Sequence, residues 1–458
     1  MGDACSLVDA FRAGELTPAE ALDASLDAID ASGLNAFSYT DPGAARKAAA
    51  AADVALPFGG VPMGIKELNH VEGWPYTHAS LPFRDQRSPF DSTQVTRLRE
   101  AGAVLVGMTT ASEFGGVNLT RTRLNGITRN PWDEARTPGG SSGGAAASVA
   151  GGLVPIGTGG DGGGSIRIPA AFCGLSGLKV TYGRFPKGPF AEMGNVTSVP
   201  GCLSRSVRDI ARWIDVGNGH DRHDPLSLPR VEGWEAGLGS HGDDLCGLRV
   251  VVDPTFGGAV VHPDVQELVA AAAADLITAT GLRRVDHELR LPPLDTAWAL
   301  SGLVGVRATV GDRWPDCAED LTPQIAFGLR IASDAWNLER AARVEQQRVA
   351  FVEVMAELFG HVDLVIAATN PDVAFAAEGP MPTRVGEVDT GPGNNGALTI
   401  PANIYGNPAI SIPVGTVDGL PVGMQVLAPH HGEALLLDLA LAVERDRGWP
   451  LVAPGAPC

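Results

Sequence analysis

Between Thr137 and Arg167 the chain reads TPGGSSGGAAASVAGGLVPIGTGGDGGGSIR, and no other stretch constrains the fold so strongly. Glycine lets backbone amides approach a ligand closely and adopt conformations closed to other residues. Two serine sites are embedded in it, Ser141-Ser142 and Ser165, separated by a small-residue helix and a strand predicted over Gly152-Leu153-Val154-Pro155-Ile156.

Several chemistries use glycine in this way. A phosphate loop needs G-x-x-x-x-G-K-[ST], and no lysine follows any of these glycines. A dinucleotide fingerprint is formally present from Gly157 to Gly162, yet no second strand ends in an acidic residue about 20 positions on. The nucleophile-elbow pattern G-x-S-x-G matches at Gly139–Gly143 and Gly140–Gly144, but no strand precedes it and no credible Asp and His follow. A tight crossing of backbone is the purely structural reading. What remains is a serine placed where amides converge. Gly162-Gly163-Gly164 before Ser165 sets that hydroxyl at a loop-to-helix junction, with the preceding amides aimed at one spot.

A serine hydroxyl needs a base. No histidine lies in this stretch, and His70 and His78 are nearest to a different motif, Gly60-Val61-Pro62-Met63-Gly64-Ile65-Lys66-Glu67. Lys66 ends a short apolar run, where burial brings a lysine pKa toward neutrality. Only four lysines exist, Lys47, Lys66, Lys179 and Lys187, and arginine cannot act as a base near neutral pH. Alone, Lys66 reads as an ordinary surface lysine; beside the serine motif it reads as the base.

The rest of the chain predicts an α/β fold. Thr17-Pro18-Ala19-Glu20 is a capping box that starts a helix with Leu22, Leu26 and Ile29 on one face and Gly33 at its close. A second helix is predicted over Ala44–Ala52. Helix 93–101, strand 103–107, strand 248–252 and helix 263–280 then alternate, which argues for a central mixed, mostly parallel twisted sheet with helices on both faces. Helices dominate 295–360, a Gly/Pro-rich loop spans 377–396, short strands centre on Ile410-Ser411-Ile412 and Met424-Gln425-Val426, and a helix closes the chain at 433–446. We read one domain over 1–458: N-terminal helices to 55, a core at 56–216, a connecting loop at 217–247, and a second half at 248–458.

At 458 residues and 44% hydrophobic, the chain builds a core without disulfide or metal staples. A net charge of -19 with no basic stripe argues against nucleic acid. The cysteines, Cys5, Cys173, Cys202, Cys246, Cys317 and Cys458, show no metal spacing and read as free thiols of a reducing cytosol. No signal peptide is evident, Met1-Gly2 to Ser6 fits a loose myristoylation pattern, and no apolar run reaches the ~18–20 residues of a membrane span. A cytoplasmic protein without cofactor, metal or membrane contact is expected.

These residues resemble the amidase signature family along nearly the whole chain. The likeness includes Leu34-Asn35-Ala36-Phe37, Gly60-Val61-Pro62 with Lys66, Pro138 to Gly144, Gly163 to Gly174, Gly177-Leu178-Lys179, Pro401-Ala402-Asn403 and Gly419 to Gln425. The resemblance implies a Ser–cis-Ser–Lys triad: Ser165 as nucleophile, Ser141 as the bridging serine after a cis peptide, and Lys66 as base. The interval 165 − 141 = 24 agrees with it, and Ser142 is the neighbour most easily mistaken for the bridge. It also implies an oxyanion hole from the amides of Gly162, Gly163, Gly164 and Ser165. Two departures stand out. Gly160 and Gly162 replace the usual threonines of G-T-D-T-G-G-S, which implies a more open wall near the scissile group. Val180 stands where K-P-T is usual, a matter of packing.

What this implies is hydrolysis of an amide C–N bond, with aryl amides, esters or carbamates as further substrates, by a monomer or homodimer acting on a small molecule. The alternative is an A-type subunit in tRNA-dependent transamidation, and the remote one a non-enzymatic scaffold. Residues 110–130, 300–350 and 377–396 are expected to shape the pocket. Trp74, Trp132, Trp314 and Trp336 are candidates to line it, although core packing is expected for most of them.

Overall fold

The computed structural model describes residues 2–191, 196–294 and 296–456. Met1 and Cys458, both named above, lie outside the described residues. The N-terminal capping box forms: Thr17 Oγ1 accepts from the Glu20 amide and Glu20 Oε2 accepts from the Thr17 amide, starting helix Pro18–Ala31. Leu22 and Leu26 are buried from that helix.

Among the described residues, eleven strands form two mixed sheets. The first runs, edge to edge, Phe37–Thr40, Val104–Thr109, Pro62–Lys66, Ile156–Asp161, Val199–Ser204. The second runs Arg283–Arg284, Arg249–Val252, Leu364–Ala368, Leu420–Leu427, Ala409–Val417, Gly177–Lys179. A bridge between Ser176 and Ser204 joins their edges. The α/β class is as the sequence indicates, but one mostly parallel sheet is not what forms. Four pairings are parallel and five antiparallel. One cause is a long hairpin: the two short strands predicted near 411 and 425 are parts of Ala409–Val417 and Leu420–Leu427, joined by Asp418-Gly419 with both φ positive (51° and 77°), a turn that matches strand twist.

The strand predicted over 152–156 also shifts. Leu153 turns into an apolar cluster with Leu34, Ala36 and Ala147, and the strand is Ile156–Asp161. One glycine of this strand is required by packing: a Cβ on Gly159 would stand 2.7 Å from Leu203 Cδ2 and 3.0 Å from Ile166 Cγ1. Helix Pro263–Thr280 ends at Gly281 in the left-handed region (φ 69°), as its sequence predicts. One large apolar cluster runs through both sheets, from Ala4 to Val443. Cys5, Cys173, Cys202 and Cys317 are buried free thiols and Cys246 is an exposed one. Among the described residues no helix is long and apolar enough to cross a membrane.

Candidate active site

Pro62–Lys66 runs parallel to both Val104–Thr109 and Ile156–Asp161. Their carboxyl ends therefore open at one edge, where α/β sheets place ligands. Lys66 ends one strand, and the Gly162–Ser165 loop leaves the next. Their mutual position is fixed by a side chain: Thr158 Oγ1 accepts from the Lys66 amide at 2.7 Å.

The Lys66 Nζ lies 2.8 Å from Ser141 Oγ and 2.8 Å from Ser142 Oγ. The Gly140–Ser141 peptide is cis, and both serines are buried. Distance alone does not separate the two hydroxyls, but their surroundings do. Ser142 Oγ is also engaged with the amide (3.3 Å) and carbonyl (3.4 Å) of Gly160, inside the packing. Ser141 Oγ lies instead beneath Gly115 of a surface turn, and a Cβ there would be 3.4 Å away. Lys66 is only 4% exposed, and burial pushes its amine down to about 7 against the opposing pull of the Asp161 and Glu67 carboxylates. A neutral amine that bridges two hydroxyls can accept a proton from one while donating to the other. Burial also pushes the adjacent Glu67 carboxyl up to about 7, although the Ala111 amide (2.6 Å) and Asn125 Nδ2 (2.9 and 2.8 Å) donate to it.

Ser165 is half-buried between the loop and helix Arg167–Cys173. What shapes this loop is Asp161. Its carboxylate accepts from the amides of Gly164 (2.7 Å), Ile166 (3.3 Å) and Arg167 (3.4 Å), and pairs with the fully buried Arg167 guanidinium at 3.0 Å. Burial opposes its charge, but Arg167 and Asn403 hold the carboxyl well below the usual carboxylate range. Arg167 reaches onward to Gln425 Oε1, Asn403 Oδ1 and the Thr399 carbonyl, and Asn403 Nδ2 returns to Asp161 Oδ1 at 2.8 Å. Such a buried pair is tolerable because every arm is hydrogen-bonded.

This network bears on the three glycines expected to form the oxyanion hole. The Gly164 amide is already donated to Asp161, so it is engaged rather than free. The amides of Gly162, Gly163 and Ser165 have no acceptor among the described residues. Gly164 sits at φ 118°, and a Cβ there would collide with the Thr399 side chain and approach Ile168 Cδ1 to 2.7 Å. Gly164→Ala is therefore expected to lower kcat by about 10²-fold through a displaced loop, measured on the same substrate as the wild type. The positions where the family has threonine do have room. A Cβ on Gly162 would meet Ser198 Cβ at 3.4 Å, and one on Gly160 the Val199 carbonyl at 3.7 Å. Val180 packs into the large core.

Sequence reasoning thus pairs Lys66 with Ser141 and sets Ser165 at the loop end, but assigns no role to Asp161, Arg167, Thr399, Asn403 or Gln425. A lone aspartate among glycines, three residues before a loop amide, is the signal of a side-chain-capped turn that identifies Asp161. Of the four tryptophans, Trp74 packs on Tyr39 in the core and Trp132 stacks on Trp449. Trp314 packs against the buried cluster that holds Phe83, Val310 and Leu329, and Trp336 follows the last turn of helix Pro323–Ala335, half-buried.

A family model described as Amidase matches residues 20–437. The A subunit of the glutamyl-tRNA(Gln) amidotransferase of Chloroflexus aggregans is 33% identical over 477 residues, covering 96% of this chain and 95% of that protein. Among solved structures, a bacterial aryl acylamidase of the amidase signature family superposes with a TM-score of 0.89 at 26% identity, over 98% of this chain and 96% of that one. The corresponding amidotransferase A subunit of Thermotoga maritima superposes with a TM-score of 0.77 at 26% identity, over 96% and 95%.

Proposed function

Because this chain belongs to the amidase (amidase signature) family, we propose that it is a stand-alone hydrolase that cleaves the C–N bond of a small-molecule amide through an acyl-enzyme on Ser165. The observation that carries the reading is the buried Lys66 amine held 2.8 Å from Ser141 Oγ. Neutral Lys66 takes a proton through the Ser141 hydroxyl while Ser165 Oγ attacks the carbonyl. The free amides of Gly162, Gly163 and Ser165 receive the oxyanion, and the engaged Gly164 amide fixes the loop's shape. The proton then passes back through Ser141 to the leaving nitrogen. Water attacks the acyl ester, loses its proton along the same path, and frees the acid. Esters and carbamates offer the same carbonyl and are further candidate substrates. Cytoplasmic residence and action as a monomer or homodimer without nucleic acid belong to the same proposal.

The pH dependence has a definite sign. Lys66 serves only as the neutral amine, so kcat/KM is expected to fall tenfold per unit as pH drops below about 7. Glu67→Gln deletes a negative charge beside Lys66, which favours the neutral amine, and is expected to move that limb to lower pH. A limb that vanishes in Glu67→Gln would mean that Glu67, not Lys66, is the titrating group.

A second reading, an A-type subunit of a tRNA-dependent amidotransferase, is favoured by the 33% identity to such subunits. Against it stands the closer superposition on the aryl acylamidase, TM-score 0.89 against 0.77. A non-enzymatic scaffold has no reason to keep all three triad positions. A panel of aliphatic amides, anilides, esters and carbamates, run beside a glutamine-dependent transamidation assay, tests the choice. Hydrolysis by the isolated chain supports the hydrolase; activity only in the transamidation assay with partner subunits overturns it.

A further inference from the structure

A lysine side chain is long and flexible, so an amine held 2.8 Å from two hydroxyls needs a root that does not move. On its Ile156–Asp161 side the strand ladder does not supply one. Pairing there stops at Gly64, and the Lys66 amide turns instead to a side chain, Thr158 Oγ1, at 2.7 Å. Thr158 Oγ1 in turn donates to Asn69 Oδ1 at 3.1 Å. Asn69 Nδ2 donates to Gln94 Oε1 at 3.0 Å, and Gln94 Nε2 to the Gly201 carbonyl at 3.1 Å. Asn69 also grips Lys66 from its other end, because its backbone amide donates to the Lys66 carbonyl at 2.8 Å.

This chain of hydrogen bonds has a direction. It begins at a backbone N–H, which can only donate, and ends at a carbonyl, which can only accept, so both side-chain amides between them are oriented. Bonds arranged head to tail polarise and strengthen one another. The chain ties the end of Pro62–Lys66 to helix Thr93–Glu100 and to strand Val199–Ser204, where Gly201 lies opposite Gly159. Thr158 and Gln94 are buried, and Asn69 is half-buried. The Lys66–Asn69 turn reaches the bridging serine as well: a Cβ on Gly115 would stand 3.4 Å from both Leu68 Cδ1 and Ser141 Oγ.

We propose that Asn69 is a positioning residue for amide hydrolysis: through Thr158 and the Lys66 carbonyl it fixes the root of Lys66, and so the reach of the amine to Ser141. The inference rests on the acyl-enzyme reading, in which Lys66 is the base. Without Asn69 the root loosens, the amine leaves Ser141, and water reaches it. Rehydration favours the charged amine, so the acidic limb of activity moves to higher pH. The charged groups facing the amine are Asp161 on the neighbouring strand and Glu67 beside it in the chain. Both stay in place in the variants below, so a moved limb reports the setting of the amine.

The test compares kcat/KM for one amide across pH in the full chain and its variants. Asn69→Ala and Thr158→Val are each expected to lower the plateau about 10²-fold and to raise the acidic limb by about one pH unit. Thr158→Ser keeps the hydroxyl and is expected to keep the wild-type limb. A plateau that falls while the limb stays reports only a smaller folded fraction, and overturns the proposal. So does a Thr158→Ser profile that matches Thr158→Val. Fluorophosphonate labelling separates the two readings. A wild type that does not label at Ser165 overturns the acyl-enzyme itself, whereas labelled wild type with unmoved limbs in the variants overturns Asn69 alone. Should Asn69→Ala and Thr158→Val fail to fold, Gln94→Met decides, since it cuts the chain farther from Lys66 at similar volume. A smaller upward shift is expected there, and an unmoved limb overturns the proposal.

Discussion

Lys66→Ala is expected to lower kcat by about 10²- to 10⁴-fold, the range for losing a positioned base. No neighbouring histidine or lysine can take its place. His70 and His78 are committed to ring contacts, and Lys179, the other deeply buried lysine, donates its Nζ to the Val180 carbonyl. Lys66→Met separates chemistry from packing, because it keeps most of the aliphatic stem and removes only the amine. Its kcat is expected to match that of the alanine variant, while its melting temperature stays near the wild-type value. A Met variant that retains wild-type kcat would remove the lysine from the mechanism.

Asp161→Ala carries the largest expected effect on stability, a loss of about 3–5 kcal/mol, because the fully buried Arg167 is left without its partner. Turnover is expected to disappear as well, since the Gly164 and Ile166 amides on either side of Ser165 lose the acceptor that shapes the loop. Asp161→Asn keeps one oxygen for the Gly164 amide but offers no charge to Arg167. It is expected to fall between the two, by denaturant midpoint and by kcat. A stability loss below about 1 kcal/mol in Asp161→Ala would show that water or rearrangement satisfies Arg167.

Local signals are legible in the sequence where one segment decides its own structure. The Thr17–Glu20 capping box and the Gly281 stop depend only on neighbours in the chain, and both form. The glycine strand 156–161 is not legible from propensity. Its glycines become strand because Pro62–Lys66 and Val199–Ser204 pair with it from either side, a matter of tertiary context. The Asp418-Gly419 turn is a local hairpin signal, and weighing it beside the two short strands corrects the expected sheet polarity. At the site, the scarcity of lysines points to Lys66 and the glycine setting to Ser165, whereas Ser141 is singled out from Ser142 only by the family resemblance. Arg167, Asn403 and Gln425 lie hundreds of residues apart in two cases, and only the fold brings them onto Asp161 or one another.

The central claim is that Ser165 forms the acyl-enzyme. Fluorophosphonate labelling of the full chain, followed by mass mapping of the modified peptide, tests it most directly. The account predicts one phosphonylated peptide containing Ser165, absent from Ser165→Ala and formed more slowly in Lys66→Ala. A label on Ser141, Ser142 or any other residue, or amide turnover that survives Ser165→Ala, would contradict it.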